Sequence, residues 1–174
     1  SLVFDGLIAL DDKLEYRPRL ATSWNQTEEV FLVVDPRYRL EKIKNRLPSS
    51  ADWVDYIKTL LEKNQQGIKN VKAIELVPGK VVQGSIQVPI MGSDGLPEVS
   101  QGRPRMEPAF YTLRSPDRIK FTLNRIDQDF FNPIKESIGG GYFEKFPYDD
   151  FISAKTTSQY DRLKPHFSEI LPLT

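Results

Sequence analysis

The clearest periodicity in the chain is an apolar stripe at Trp53, Ile57, Leu60 and Leu61, spaced i, i+4, i+7 and i+8. That spacing keeps the four side chains on one face of an α-helix. Asp52, Asp55, Lys58, Glu62 and Lys63 fill the other faces, and Ser49 stands three residues before Asp52, a pairing that opens helices. Gly67 is the expected stop. The stripe reads as core rather than as a row of ligand contacts.

The flanking segments switch to strand patterns. Leu7 to Leu10 is a short apolar run closed by Asp11-Asp12. Val30 to Val34 is continuously apolar and rich in β-branched residues, as in a strand covered on both faces, and Asp35-Pro36 ends it. Val71 to Val77 predicts a strand with Pro78-Gly79 as its turn. Val82, Gly84, Ile86, Val88 and Ile90 alternate with polar positions, and Gly84 marks the place for a bulge. Ile119, Phe121 and Leu123 alternate with Lys120, Thr122 and Asn124, a second half-buried strand.

Residues 91–108 are rich in Gly, Pro, Ser and charge and are expected to form a long surface loop. A short helix is predicted between Asp127 and Ser137, limited by Pro133. Gly139-Gly140-Gly141 then interrupts the chain ahead of an aromatic stretch, Tyr142, Phe143, Phe146, Tyr148 and Phe151. Strands before and after one strong helix define an α+β class: a mixed, mostly antiparallel sheet with few helices.

Composition narrows the chemistry. The 174 residues suit a single domain, and 39% hydrophobic with 28% charged content is that of a folded chain rather than a disordered one. No apolar run approaches the roughly 20 residues of a membrane helix. Basic and acidic residues balance at 24 each, which gives no general pull toward nucleic acid or anionic lipid. With no cysteine and only His166, disulfides, thiolate nucleophiles and multi-histidine metal sites are excluded within the chain. The chain opens on Ser1 without a secretory leader and ends on apolar residues, and is read as one partial domain excised from something longer.

Candidate chemistry is sparse. The triple glycine has neither phosphate-loop nor dinucleotide-loop spacing and reads as a turn, or as a close backbone approach to a ligand. Asp11-Asp12, Glu28-Glu29 and Asp149-Asp150 are adjacent pairs beside turn signals, read as solvated turns rather than as acid–base partners. Arg37, Arg39, Lys42, Lys44 and Arg46 enclose Tyr38 in a locally basic stretch, but no nucleic-acid motif accompanies it. Asn25-Gln26-Thr27 has glycosylation spacing, which matters only in a eukaryotic secretory setting. No nucleophile–base set is apparent, so an enzyme is not expected and neither is a cofactor.

The order of short phrases carries more. Val3-Phe4-Asp5-Gly6-Leu7-Ile8-Ala9-Leu10-Asp11 resembles the V-Y-E-G-L-x-x-x-D opening of extracellular solute-binding proteins of family 5, the oligopeptide/dipeptide/nickel class. Pro18-Arg19-Leu20-Ala21-Thr22-Ser23-Trp24 is similar to the P-x-L-A-x-S-W phrase that follows in that family. Val30 to Val34 stands where the family has its Y-T-F-H-L-R strand, and Ser50-Ala51-Asp52-Trp53-Val54 looks like its T-A-E-D-V helix start. Val71 to Val77 and the run from Asp117 to Leu123, followed by Asp129-Phe130-Phe131, resemble the later strands and the F-L helix. Asp35 to Leu40 replaces the family's glycine-rich turn.

The resemblance, over residues 2 to 146, implies part of the first lobe of a two-lobed, periplasmic-binding-protein-like fold of the class II, peptide-binding type. It implies the substrate-binding component of an ABC-type importer, periplasmic or membrane-associated outside the cell. Such a component captures oligopeptides or a similar solute as a monomer and passes them to permease subunits, without chemistry, cofactor or nucleic acid. The alternative is the solute-sensing domain of a transcription regulator built on the same module. Gly139, Gly140, Gly141 and Tyr142, which return toward the cleft in relatives, are the first expected contacts, and Phe4, Asp5 and Gly6 the second.

Overall fold

The computed structural model describes residues 8–10, 13, 16–18, 27–40 and 42–174. The apolar run near the start forms β1 (Ile8–Leu10), paired antiparallel with β2 (Tyr16–Pro18). Next comes β3 (Glu28–Val33), which ends before Asp35-Pro36 as its sequence predicts. It is an edge strand, and only its last residues meet two cores: Leu32 enters the first and Val33 the second.

The predicted helix is α1 (Ser50–Lys63). Ser49 accepts from the Asp52 N–H while the Asp52 carboxylate accepts from the Ser49 N–H at 2.6 Å, so two otherwise orphaned donors are satisfied. Trp53, Ile57 and Leu61 are buried, and Leu60 lies at the margin. The expected stop is displaced. Asn64 caps α1, and Gly67 sits inside a further short helix, α2 (Gln65–Asn70).

β4 (Val71–Val77) joins the first sheet, ordered β3-β9-β4 around the central β9 (Arg118–Leu123). The bulge in the fold falls here, between Val71 and Ala73, rather than at Gly84. Between those strands runs a long hairpin, β5 (Val81–Pro89) against β8 (Met106–Arg114), with unbroken register from Val81↔Arg114 to Pro89↔Met106. Gly84 serves another purpose: a Cβ there would stand 2.5 Å from the Tyr111 hydroxyl across the ladder.

Residues 91–108, expected as a loop, are exposed but ordered by pairing. Met91 bridges Pro97, and β6 (Val99–Ser100) pairs with β7 (Arg103–Pro104). Gln101 and Gly102 both hold positive φ, 52° and 74°, the geometry of a two-residue hairpin turn whose twist matches its strands. Backbone bonds Ile90 N–H to Arg105 O, Arg105 N–H to Glu98 O and Glu98 N–H to Ile90 O, each 2.8 Å, tie the tip together. A Gln-Gly turn is a weaker signal than Asn-Gly, which hides this hairpin in the sequence.

After β9 the chain forms α3 (Asn132–Ile138), with Pro133 in its first turn where a missing N–H costs nothing. Short elements follow: α4 (Gly140–Glu144), α5 (Tyr148–Phe151) and β10 (Ile152–Ser153), which extends the second sheet to β10-β8-β5. Last come α6 (Thr157–Leu163), a 3₁₀ turn over Lys164–His166 and α7 (Phe167–Ile170). The architecture is α+β with antiparallel sheets and few helices.

Two cores result. The first packs Trp53, Ile57 and Leu61 of α1 and Ile134 of α3 against Ile119, Phe121 and Leu123 of β9. The second packs Val88, Ala109 and Leu113 of the hairpin against Ile152, Leu163 and Phe167.

Candidate functional site

The glycine turn places its residues unequally. Gly139 ends α3 with φ of 88°, a conformation that a side chain rarely adopts, and its N–H reaches the Lys135 carbonyl at 2.8 Å. Gly140 and Gly141 are exposed, and a Cβ on Gly141 would meet open space. Tyr142 turns inward and is buried. Its hydroxyl donates to the Val33 carbonyl and accepts from the Asp35 N–H at 2.9 Å, binding α4 to the end of β3. Its ring packs against Tyr38 and Trp53 at centroid distances of 5.0 and 5.5 Å. Burial drives the phenol well above its ordinary ionisation range. Tyr142 therefore serves as an internal tether, and only the glycines beside it face solvent. Phe4, Asp5 and Gly6 lie outside the described residues.

Two of the basic candidates, Arg37 and Arg46, pair with carboxylates, and Asp11-Asp12 lies outside the described residues. Asp150 pairs with Arg37 at 2.7 Å, and Asp149 accepts from the Tyr160 hydroxyl. Arg46 grips Asp52 through two hydrogen bonds of 2.6 and 2.8 Å. That guanidinium, together with Ser49, holds the Asp52 carboxyl far below the usual carboxylate range. Glu28 accepts from the Asp127 N–H at 3.0 Å, so Glu28-Glu29 is part of the sheet rather than a solvated turn. Among the described residues, no three His, Cys, Asp or Glu side chains gather closely enough to hold a metal ion.

Two of the concavities among the described residues lie against the second sheet. One, of about 430 Å³, lies on the outer face of the second sheet, where Gln83 pairs with Thr112 and Ser85 with Phe110; Lys155 closes its side. The other, of about 370 Å³, opens where the two sheets and the chain after α7 meet. Phe31, Phe131, Leu113 and Leu171 give it apolar walls, and Arg118 and Lys80 bring two cations.

β9 fixes the position of Arg118. In register with Val33 on one side and Val77 on the other, its backbone is held in the centre of the first sheet. The guanidinium carbon stands 4.8 Å from the centre of the Phe31 ring, and Nε is enclosed without an acceptor. The alternation of Ile119, Phe121 and Leu123 already implies that Arg118 faces away from the first core. Its neighbours on that face depend on how the hairpin folds back, which no local pattern reveals.

No protein-family model matches the sequence, and no curated protein or solved structure matches it.

Proposed function

We propose that the chain is part of the first lobe of a two-lobed solute receptor, the substrate-binding component of an ABC-type importer. In this reading it captures a peptide or similar solute outside the cytoplasmic membrane, as a monomer, and hands it to the permease without chemical change. The observation that carries the reading is the order of elements. Strand Glu28–Val33, capped helix Ser50–Lys63, strand Val71–Val77, strand Arg118–Leu123 and helix Asn132–Ile138 follow one another as the phrases of the family 5 resemblance do. Gly140 and Gly141 are exposed in the first turn of α4, and their backbone N–H groups are of the kind that hold a peptide carboxylate.

The test is thermal unfolding of the full-length protein against a library of short peptides and nickel. A receptor gains about 2.7 kcal/mol when ligand stands at roughly a hundred times its Kd. A clear rise in Tm with some members of the set is expected. A flat response to all of them contradicts the proposal.

A further inference from the structure

We propose that the cleft between the two sheets binds a small monocarboxylate carrying an apolar group. Arg118 and Lys80 hold the carboxylate, while Phe31, Leu113, Phe131 and Leu171 receive the apolar part. This site lies wholly within the chain and does not depend on the transport reading.

Charge is concentrated on one face of the first sheet. Alternation puts Arg118, Lys120 and Thr122 opposite the first core, beside Glu29 and Phe31 of β3. Lys120 is neutralised there, by Glu75 at 2.8 Å and Glu29 at 3.5 Å. Arg118 has no such carboxylate among the described residues. It rests on the Phe31 ring instead, with Nε shut from solvent and lacking an acceptor. An enclosed guanidinium hydrogen without a partner is costly, whereas a carboxylate can accept from the guanidinium fork in a bidentate pair. The structure thus keeps, at the wall of the cleft, a cation that pairs with no carboxylate among the described residues.

The cleft selects among anions by its other walls. At about 370 Å³ it falls within the ~300–1,000 Å³ range of small-molecule sites. Most of its lining side chains are apolar, so an inorganic anion would leave that surface wet. Glu29 also lines it and disfavours a dianion. One negative charge on an aliphatic or aromatic body meets both demands. The C-terminal residue of an apolar peptide has this chemistry, and so does a medium-chain fatty acid.

The experiment titrates the chain with N-acetyl-L-leucine, octanoate and the neutral N-acetyl-L-leucinamide, followed by calorimetry. Both acids are expected to bind at least tenfold more tightly than the amide. Arg118→Met, which keeps the apolar stem over Phe31, is expected to weaken the acids tenfold or more and to leave the amide unchanged. Lys80→Gln, at an exposed position, is expected to weaken them several-fold, and it decides the matter should Arg118→Met fail to fold. Tighter octanoate binding assigns the fatty-acid source; tighter N-acetyl-leucine binding assigns the peptide source. Equal affinity for acid and amide, acid affinity untouched by both substitutions, or no acid binding at millimolar concentration would each overturn the proposal. A failed peptide screen on the full-length protein together with a positive result here would refute the receptor alone.

Discussion

Along the first sheet, the face turned from its core carries Glu29, Lys120 and Glu75 side by side on three adjacent strands. Along the second, the corresponding face carries Gln83, Ser85, Phe110 and Thr112, and Phe110 is 55% exposed. The first sheet covers its outer surface with cross-strand ion pairs, and the second leaves a concavity whose strand residues carry no charge, with Lys155 at its side. Their edges differ too: β9 is bonded on both sides, whereas β10 covers β8 only at Thr112 and Leu113. Packing completeness and binding capacity therefore separate in this molecule. The first sheet is packed by α1 and α3, and the concavities of about 430 and 370 Å³ lie on the second sheet and at the seam where the two meet.

The strongest way to break this comparison is to hollow the first core. Trp53→Ala removes a fully buried side chain that touches Tyr38, Tyr56 and Tyr142, and is expected to cost about 3–5 kcal/mol in urea unfolding. A loss below 1 kcal/mol would mean that the first core contributes little to stability. Tyr142→Phe is gentler. It leaves the Val33 carbonyl and the Asp35 N–H without their partner, a loss of about 1–3 kcal/mol.

Tyr142 also makes stability depend on pH. Its folded pKa is raised above the unfolded value of roughly 10, so its contribution is complete below that pH and is lost as pH rises through and beyond it. Melting curves should therefore fall steeply above pH ~10, and less steeply in Tyr142→Phe. Ser49→Ala, which removes one half of the cap on α1, should cost about 0.5–2 kcal/mol. Asp52 on the other half runs in the opposite sense: its folded pKa is depressed, so its contribution holds above pH ~4 and disappears as pH falls. The smallest effect belongs to the second sheet. Phe110→Ser should change stability by no more than ~0.5 kcal/mol, because its ring already lies in solvent.

The elements legible in the sequence are those whose pattern is local. The stripe and cap of α1 and the alternation of β9 each fall within one segment, so period and turn chemistry suffice. β8 escaped because Pro108 interrupts an otherwise regular Ala109, Tyr111, Leu113 alternation. It is tolerated where β8 has β5 as its only strand neighbour. Tyr142 shows why site residues were harder to read. An aromatic beside three glycines suggests a ligand contact, yet its fate is decided by partners 107 and 109 positions away. Arg118 is the converse, a residue that looks like an ordinary exposed strand position until the hairpin and the chain after α7 fold over it.

Ligand capacity at the seam between the sheets, away from the first core, has a direct readout. It is tested most directly by residue-resolved NMR of the chain titrated with N-acetyl-L-leucine. Saturable shifts are expected at Phe31, Lys80, Arg118 and Leu171, with Trp53, Ile57 and Phe121 unmoved. Shifts centred on the first core, or no saturable shift anywhere, would show that the seam does not bind N-acetyl-L-leucine.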